Sequence, residues 1–251
     1  MQESATTNRA SFTLRAYPVT MLLLGLVALL MLAHIAVTIA SFNGNTWMMG
    51  FGPKFDMSRE ANIPSYLSGL LLLLASASAA VLGMGHVGSR EQDKIRRSWL
   101  ICAVGLAFMS LDETTAIHEL LNEPAAAALG ALGMSGRMGL FYFAWVVPAA
   151  LGLLAAAPWF YNFLRRMPPD LRRRCLMAGA LFVAGAVGIE MFEGDVVEQH
   201  GRDWRYLLWV TAEETAEMTA VVLFIRAALL ELERRSGFNI RLNLATPPQG
   251  A

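Results

Sequence analysis

TAEETAEMTAVVLFIRAALL, residues 211–230, decides the fold. Three glutamates occupy the first seven positions of a run that otherwise suits hydrocarbon. At 100° and 1.5 Å per residue, Glu213, Glu214 and Glu217 fall in one sector about 100° wide, with Tyr206 on the same stripe. Glu217 follows Tyr206 by eleven residues, about 16 Å along a helix axis, near the middle of a bilayer. An isolated carboxylate at that depth costs at least roughly 2.5–3.5 kcal/mol. The face is therefore expected to turn inward and find protons, cations or hydrogen-bond donors.

The rest of the chain agrees with a lipid solvent. Of 251 residues, 55% are hydrophobic and 16% charged, against about 25% charged in ordinary soluble domains. Formal net charge is zero, so no global field favours nucleic acid. A helix needs about 20 mostly apolar residues to cross the bilayer, and such runs lie near 18–40, 64–84, 99–120, 138–161, 175–197 and 206–230. The expected fold is an all-α polytopic membrane bundle of about six transmembrane helices. The alternating ten-residue pattern of a barrel is absent. The first run is longer than the apolar part of a secretory signal and reads as a retained span. Residues 1–17 are expected to form a cytoplasmic N-terminal segment, 18–235 the transmembrane domain, and 236–251 a disordered cytoplasmic tail.

Charge sets the expected orientation. All but five of the twenty Lys and Arg lie in the termini or in the loops after the second and fourth runs; the five are Lys54, Arg59, Arg137, Arg202 and Arg205. The positive-inside bias puts both termini in the cytoplasm. Trp47, Trp99, Trp159, Tyr161, Trp204 and Tyr206 suit interfacial belts. Acids run the other way: all but Glu3, Glu91, Asp93, Asp170, Glu231 and Glu233 fall in the outer half. Acids do little to set topology, so this asymmetry needs another cause.

Three runs bring the acids to one depth. The third ends in LDETTAIHELLNE, with Asp112, Glu113, His118 and Glu119; the fifth ends in GIEMFEGDVVEQH, with Glu190, Glu193, Asp195, Glu198 and His200. Glu190 and Glu193 are an i,i+3 pair on one face. Asp112 and Glu119 share a face at i+7, whereas His118 points about 120° away unless the helix end unwinds. Glu113, His118, Glu190, Glu193, Glu213, Glu214 and Glu217 form the candidate metal set, with Glu190 and Glu217 as candidate catalytic acids. Asp195, Glu198, Glu123 and Asp203 read as solvated helix ends.

Other features have ordinary readings. His34 is expected to be a satisfied packing residue, and His86 a cytoplasmic loop residue. Cys102 and Cys175 fit no metal or disulfide spacing and read as small buried apolar groups. Ile63–Pro64 reads as a helix start, and Pro148 is expected to kink the fourth span. Arg59, Glu60 and Asn62 precede the second span at the depth of the acids. They form an ordinary cap, or a plug in which Arg59 or Arg137 pairs with the acids. Gly185 and Gly188 suggest close helix packing.

The strings FDMSREANIPS, SLDETTAIHE and EETAEM, with LDExxxxHE and EExxEM as their motifs, resemble a family of bacterial multi-pass membrane proteins with no assigned biochemical role. The resemblance implies a location in the bacterial inner membrane and brings no activity or ligand.

Three functions remain open. The leading one is a metal-dependent membrane protein holding one or two divalent ions in an outward-facing cavity. Oxygen-rich ligands suit Fe, Mn, Ca or Mg. An enzyme of this kind, oxidoreductase or hydrolase, would act on a lipid-soluble substrate, with a free Glu accepting a proton. A proton- or cation-translocating transporter or channel could use the same acids, although paired interrupted helices are lacking. In an accessory subunit the acids would be structural glue.

Overall fold

Asn62 starts the second long helix by a reciprocal cap. Its side chain accepts from Ser65 N at 3.1 Å, and its own N–H reaches Ser65 Oγ at 3.0 Å. Its amide also donates to the carbonyls of Asp56 and Arg59, tying the preceding loop to the helix start. Pro64 occupies the first turn, as the sequence predicts. Ser89 and Gln92 cap the next long helix in the same way.

The computed structural model describes residues 10–13, 15–44, 50–85, 88–134, 139–236 and 239–242. Trp47, His86, Arg137 and residues 243–251 lie outside the described residues. In chain order the helices are α1 (Ala16–Phe42), α2 (Gly52–Phe55), α3 (Ile63–Met84), α4 (Arg90–Thr115), α5 (Asn122–Ala131), α6 (Val146–Arg165), α7 (Pro169–Val183), α8 (Glu190–His200) and α9 (Trp204–Ser236). Short 3₁₀ turns cover His118–Leu121 and Gly139–Phe141, and a π-helical turn, Ala184–Ile189, joins α7 to α8. Strands β1 (Ala10–Thr13) and β2 (Asn239–Leu242) pair antiparallel, bringing the two chain ends together. Residues 239–242 thus hold regular structure inside the segment expected to be disordered.

The bundle is all-helical apart from this ribbon. By length and composition, α1, α3, α6 and the continuous α7–α8 rod can cross a membrane; α4 with the segment His118–Ala131 makes a fifth if the bent pair is one span. The helix expected as the sixth, α9, lacks such an apolar window among its 33 residues. It is about 50 Å long and packs against α1, α3, α7 and α8. Met218, Val222, Ala227 and Ala228 on it are almost wholly buried, whereas much of α1 and α6 is exposed. An acidic helix is thus enclosed by apolar ones.

Two departures concern prolines and the third span. Pro148 lies in the first turn of α6, where it needs no kink; the proline inside that helix is Pro158. The third span ends early, at Thr115, because Ala116 takes the left-handed conformation (φ 51°, ψ 39°) and the chain turns by 83°.

Small residues let α3 and α4 approach closely. Ser110 Oγ donates to the Gly69 carbonyl, and Ser76 Oγ to that of Ala103, both at 2.7 Å. A Cβ on Gly69 would stand 3.3 Å from Ser110 O, and one on Gly83 would stand 3.2 Å from Trp99 Cβ. Such contacts hold helices together where lipid supplies little hydrophobic drive. Gly69→Val is expected to destabilise the bundle by about 1–3 kcal/mol, the range for overpacking, and Ser110→Ala by about 0.6 kcal/mol. Melting in detergent should rank the two variants in that order.

Candidate functional site

The irregular end of α4 builds the first part of the site. Because Ala116 reverses the backbone, His118 folds back over Asp112: its N–H donates to Asp112 Oδ1 at 2.7 Å, and Nδ1 lies 2.9 Å from Oδ2. The 120° separation expected for a regular helix is removed by the unwinding. With Nδ1 held by a carboxylate, Nε2 is left for another partner. One ligand atom from each of Glu60, His118 and Glu119 lies within 4.8 Å of the others. Glu60 comes from the loop before α3, Glu119 from the turn after Ala116.

Glu60 responds to this company. Partial desolvation pushes its carboxyl up to about 7; His118 pulls it down, while Glu119, Glu113 and Asp112 push it further up. Asp56 organises the same loop, accepting from Ser58 and from Arg59 Nε at 3.0 Å. Arg59 thus has a partner within its own loop while also lining the cavity below.

That cavity has a volume of about 1290 Å³. Glu60, Asp112, Glu113, His118, Glu119, Glu190, Glu193, Glu213, Glu214 and Glu217 all line it. The seven residues of the predicted metal set therefore share one enclosure. Within ligand distance of one another, however, the described residues offer only the Glu60, His118 and Glu119 group. By sequence Glu60 belongs to a helix cap or to a plug over the acids. Its signal was its place beside Arg59 and Asn62 at the acids' depth, but only the unwinding of α4 brings His118 to it.

The deeper acids are placed by α8 and α9. Trp145 Nε1 donates to Glu190 Oε1 at 2.7 Å, and the same indole lies 4.6 Å, centroid to centroid, from the His118 ring. Trp145 therefore bridges the outer trio and Glu190, a role the sequence did not reveal. Glu193 is 5% exposed, lies beside Glu213 and Tyr206, and has an Oε2 atom with no hydrogen-bond partner among the described residues. The π-helical turn sets Glu190 at its exit, and Gly185 within it passes close to α9: a Cβ there would stand 3.0 Å from Glu217 Cγ. The close packing expected of Gly185 and Gly188 is present at Gly185, against Glu217, and not at Gly188.

Several expected candidates lie elsewhere. His200 is exposed on the last turn of α8 and does not line the cavity. Glu198 accepts from Gly139 N, and Asp195 accepts from Gln199, so both serve the outer turn. Asp203 caps the start of α9. His34 is 1% exposed; Nδ1 accepts from Met57 N at 3.0 Å, while Nε2 has no partner among the described residues. Its expected satisfaction is half met. Cys102 and Cys175 are free, half-buried and line the cavity.

The chain belongs to a family described as a domain of unknown function, DUF8692, which matches residues 19–232. Neither a curated protein nor a solved structure matches it.

A carboxyl held above its unfolded value contributes stability that is present below about pH 4.5 and is lost as pH rises through its folded value. The Glu60 shift therefore predicts that, in chelator, the melting temperature falls between about pH 4.5 and about 7. Glu60→Gln should remove part of that fall; an unchanged profile would show Glu60 to be fully solvated.

Proposed function

We propose that this protein is a membrane metalloprotein that binds a divalent ion through Glu60, His118 and Glu119, at the mouth of the acid-lined cavity. One observation carries the reading: three ligand atoms lie within 4.8 Å of one another, and the histidine is oriented through its other ring nitrogen by Asp112. That carboxylate–histidine pairing recurs at protein metal sites because it fixes the tautomer and raises ligand basicity.

Two carboxylates and one imidazole suit iron or manganese, where the preferences of oxygen and imidazole donors overlap; calcium and magnesium prefer oxygen alone. Three protein ligands leave coordination positions open for water or substrate. The ion would polarise a bound water or substrate oxygen. Glu190, reached from His118 across Trp145, is the proton acceptor in this reading. Glu217, deeper in the cavity, takes the proton on or holds the substrate. The remaining acids, Glu113, Glu193, Glu213 and Glu214, would supply negative potential or a second ion. The substrate comes from the bilayer; the charge bias favours both termini in the cytoplasm, and the resemblance favours a bacterial cytoplasmic membrane.

Elemental analysis of protein purified with Mn or Fe present is expected to find one ion per chain, falling several-fold in Glu60→Gln and Glu119→Gln. Asp112→Asn should weaken binding by about 10–100-fold without touching the ion, the usual effect of losing a ligand's orienting partner. No stoichiometric metal after supplementation would remove the proposal.

A further inference from the structure

Hydrocarbon lines the end of the cavity away from the acids. Ile101, Leu153, Phe160 and Leu176 face into it and yet remain 39–55% exposed. Helix α6 forms this wall and is most buried near its ends. Trp145, just before it, bonds to Asn122 and Glu190; Phe163, near its far end, packs edge-on against Trp99 with centroids 5.0 Å apart. Between Val146 and Phe163 no residue of the helix is fully buried. The result is a chamber with an apolar floor beneath a thinly packed helix.

The head of the chamber is lined with carboxyl groups. They include those of α4, α8 and α9, and among the described lining residues the cations are Arg59, paired with Asp56, and Arg202, set over the Tyr206 ring. Glu193, 95% buried by its 5% exposure, offers an oxygen with no protein donor among the described residues. At about 1290 Å³ the space exceeds the roughly 300–1,000 Å³ of most small-molecule pockets. A head with N–H donors would satisfy the bare acceptor, which a sulfate or phosphate head, carrying acceptors alone, would leave unpaired.

We infer that the cavity binds a lipid with an ammonium head, placing that head among Glu190, Glu193 and Glu213 and its hydrocarbon tail under α6. This names the substrate class of the proposed metalloprotein, but binding itself uses acids other than Glu60 and Glu119 and needs no ion.

The test uses full-length protein in phosphatidylcholine nanodiscs with EDTA, titrated with n-alkylammonium and n-alkyl sulfate probes of matched length and followed by native mass spectrometry. One alkylammonium per chain should bind at least tenfold tighter than the sulfate. Referred to aqueous probe, affinity should rise about fourfold per added methylene, the value of one CH₂ leaving water, and should level off when the floor is filled, whereas uptake by empty nanodiscs keeps climbing. Ala156→Trp, or the milder Leu153→Phe if the first fails to fold, should shorten the longest tail accepted. Glu193→Gln should cut the ammonium preference at least threefold while keeping the length dependence. Phosphatidylethanolamine, added against phosphatidylglycerol, tells whether a bilayer phospholipid or a single-chain amine is preferred. Equal binding of sulfate and ammonium, or affinity that climbs with length without levelling, would overturn the inference. Because the titration is run in EDTA and the elemental analysis without it, absence of alkylammonium binding alongside one ion per chain defeats this inference alone, and the converse defeats only the metal reading.

Discussion

The cost of placing carboxyl groups in hydrocarbon governs this molecule. Glu213, Glu214 and Glu217 occupy one side of α9, so that side must face protein or a polar space. The bundle answers by setting α9 inside, with α1, α3, α7 and α8 around it. Apolar surface is distributed accordingly: α1 and α6 keep large side chains such as Leu29 and Leu154 exposed, while the glutamates line an interior cavity. In water such a surface would aggregate; in a bilayer it is the ordinary exterior.

Enclosure also explains where the backbone departs from regularity. Free N–H and C=O groups at membrane depth are tolerated only inside protein or against a cavity. Both irregularities near the acids satisfy that condition. The left-handed Ala116 ends α4 and returns His118 to Asp112, at about 1–2 kcal/mol for a residue with a Cβ. The π-helical turn before Glu190 lets Gly185 pass close to Glu217. Such turns are frequent at functional sites because they re-aim side chains without ending a helix. Here they connect an outer histidine–carboxylate group, through Trp145, to acids deeper in the bundle.

Much of this was legible in the residues. Hydrocarbon runs mark α1, α3 and α6 because lipid selects on composition over twenty positions, and Ile63–Pro64 marks a helix start through fixed φ. The stripe Glu213, Glu214, Glu217 gave the inward face of α9 from angular spacing alone. Periodicity fails where the helix does: His118 looked misplaced until Ala116 broke the register, and nothing in LDETTAIHE announces a left-handed alanine. Pro148 misled because its effect depends on whether α6 begins at Val146 or earlier. Glu60 and Trp145 join the site through tertiary approach, which local sequence does not encode. The run 206–230 reads as a span by length, whereas α9 lacks the apolar window of the other helices and owes its place to the helices packed around it.

The facing of α8 and α9 acids is the claim on which the cavity and the lipid both stand. It is tested most directly by cross-linking Glu193→Cys to Glu213→Cys in native membranes, with Cys102 and Cys175 replaced by alanine. Facing side chains predict a rapid, near-complete intramolecular link with a mercuric ion or a mild oxidant. Failure to link, with both cysteines modified instead by a lipid-soluble maleimide, would place these positions on separate lipid-facing surfaces and contradict the shared interior.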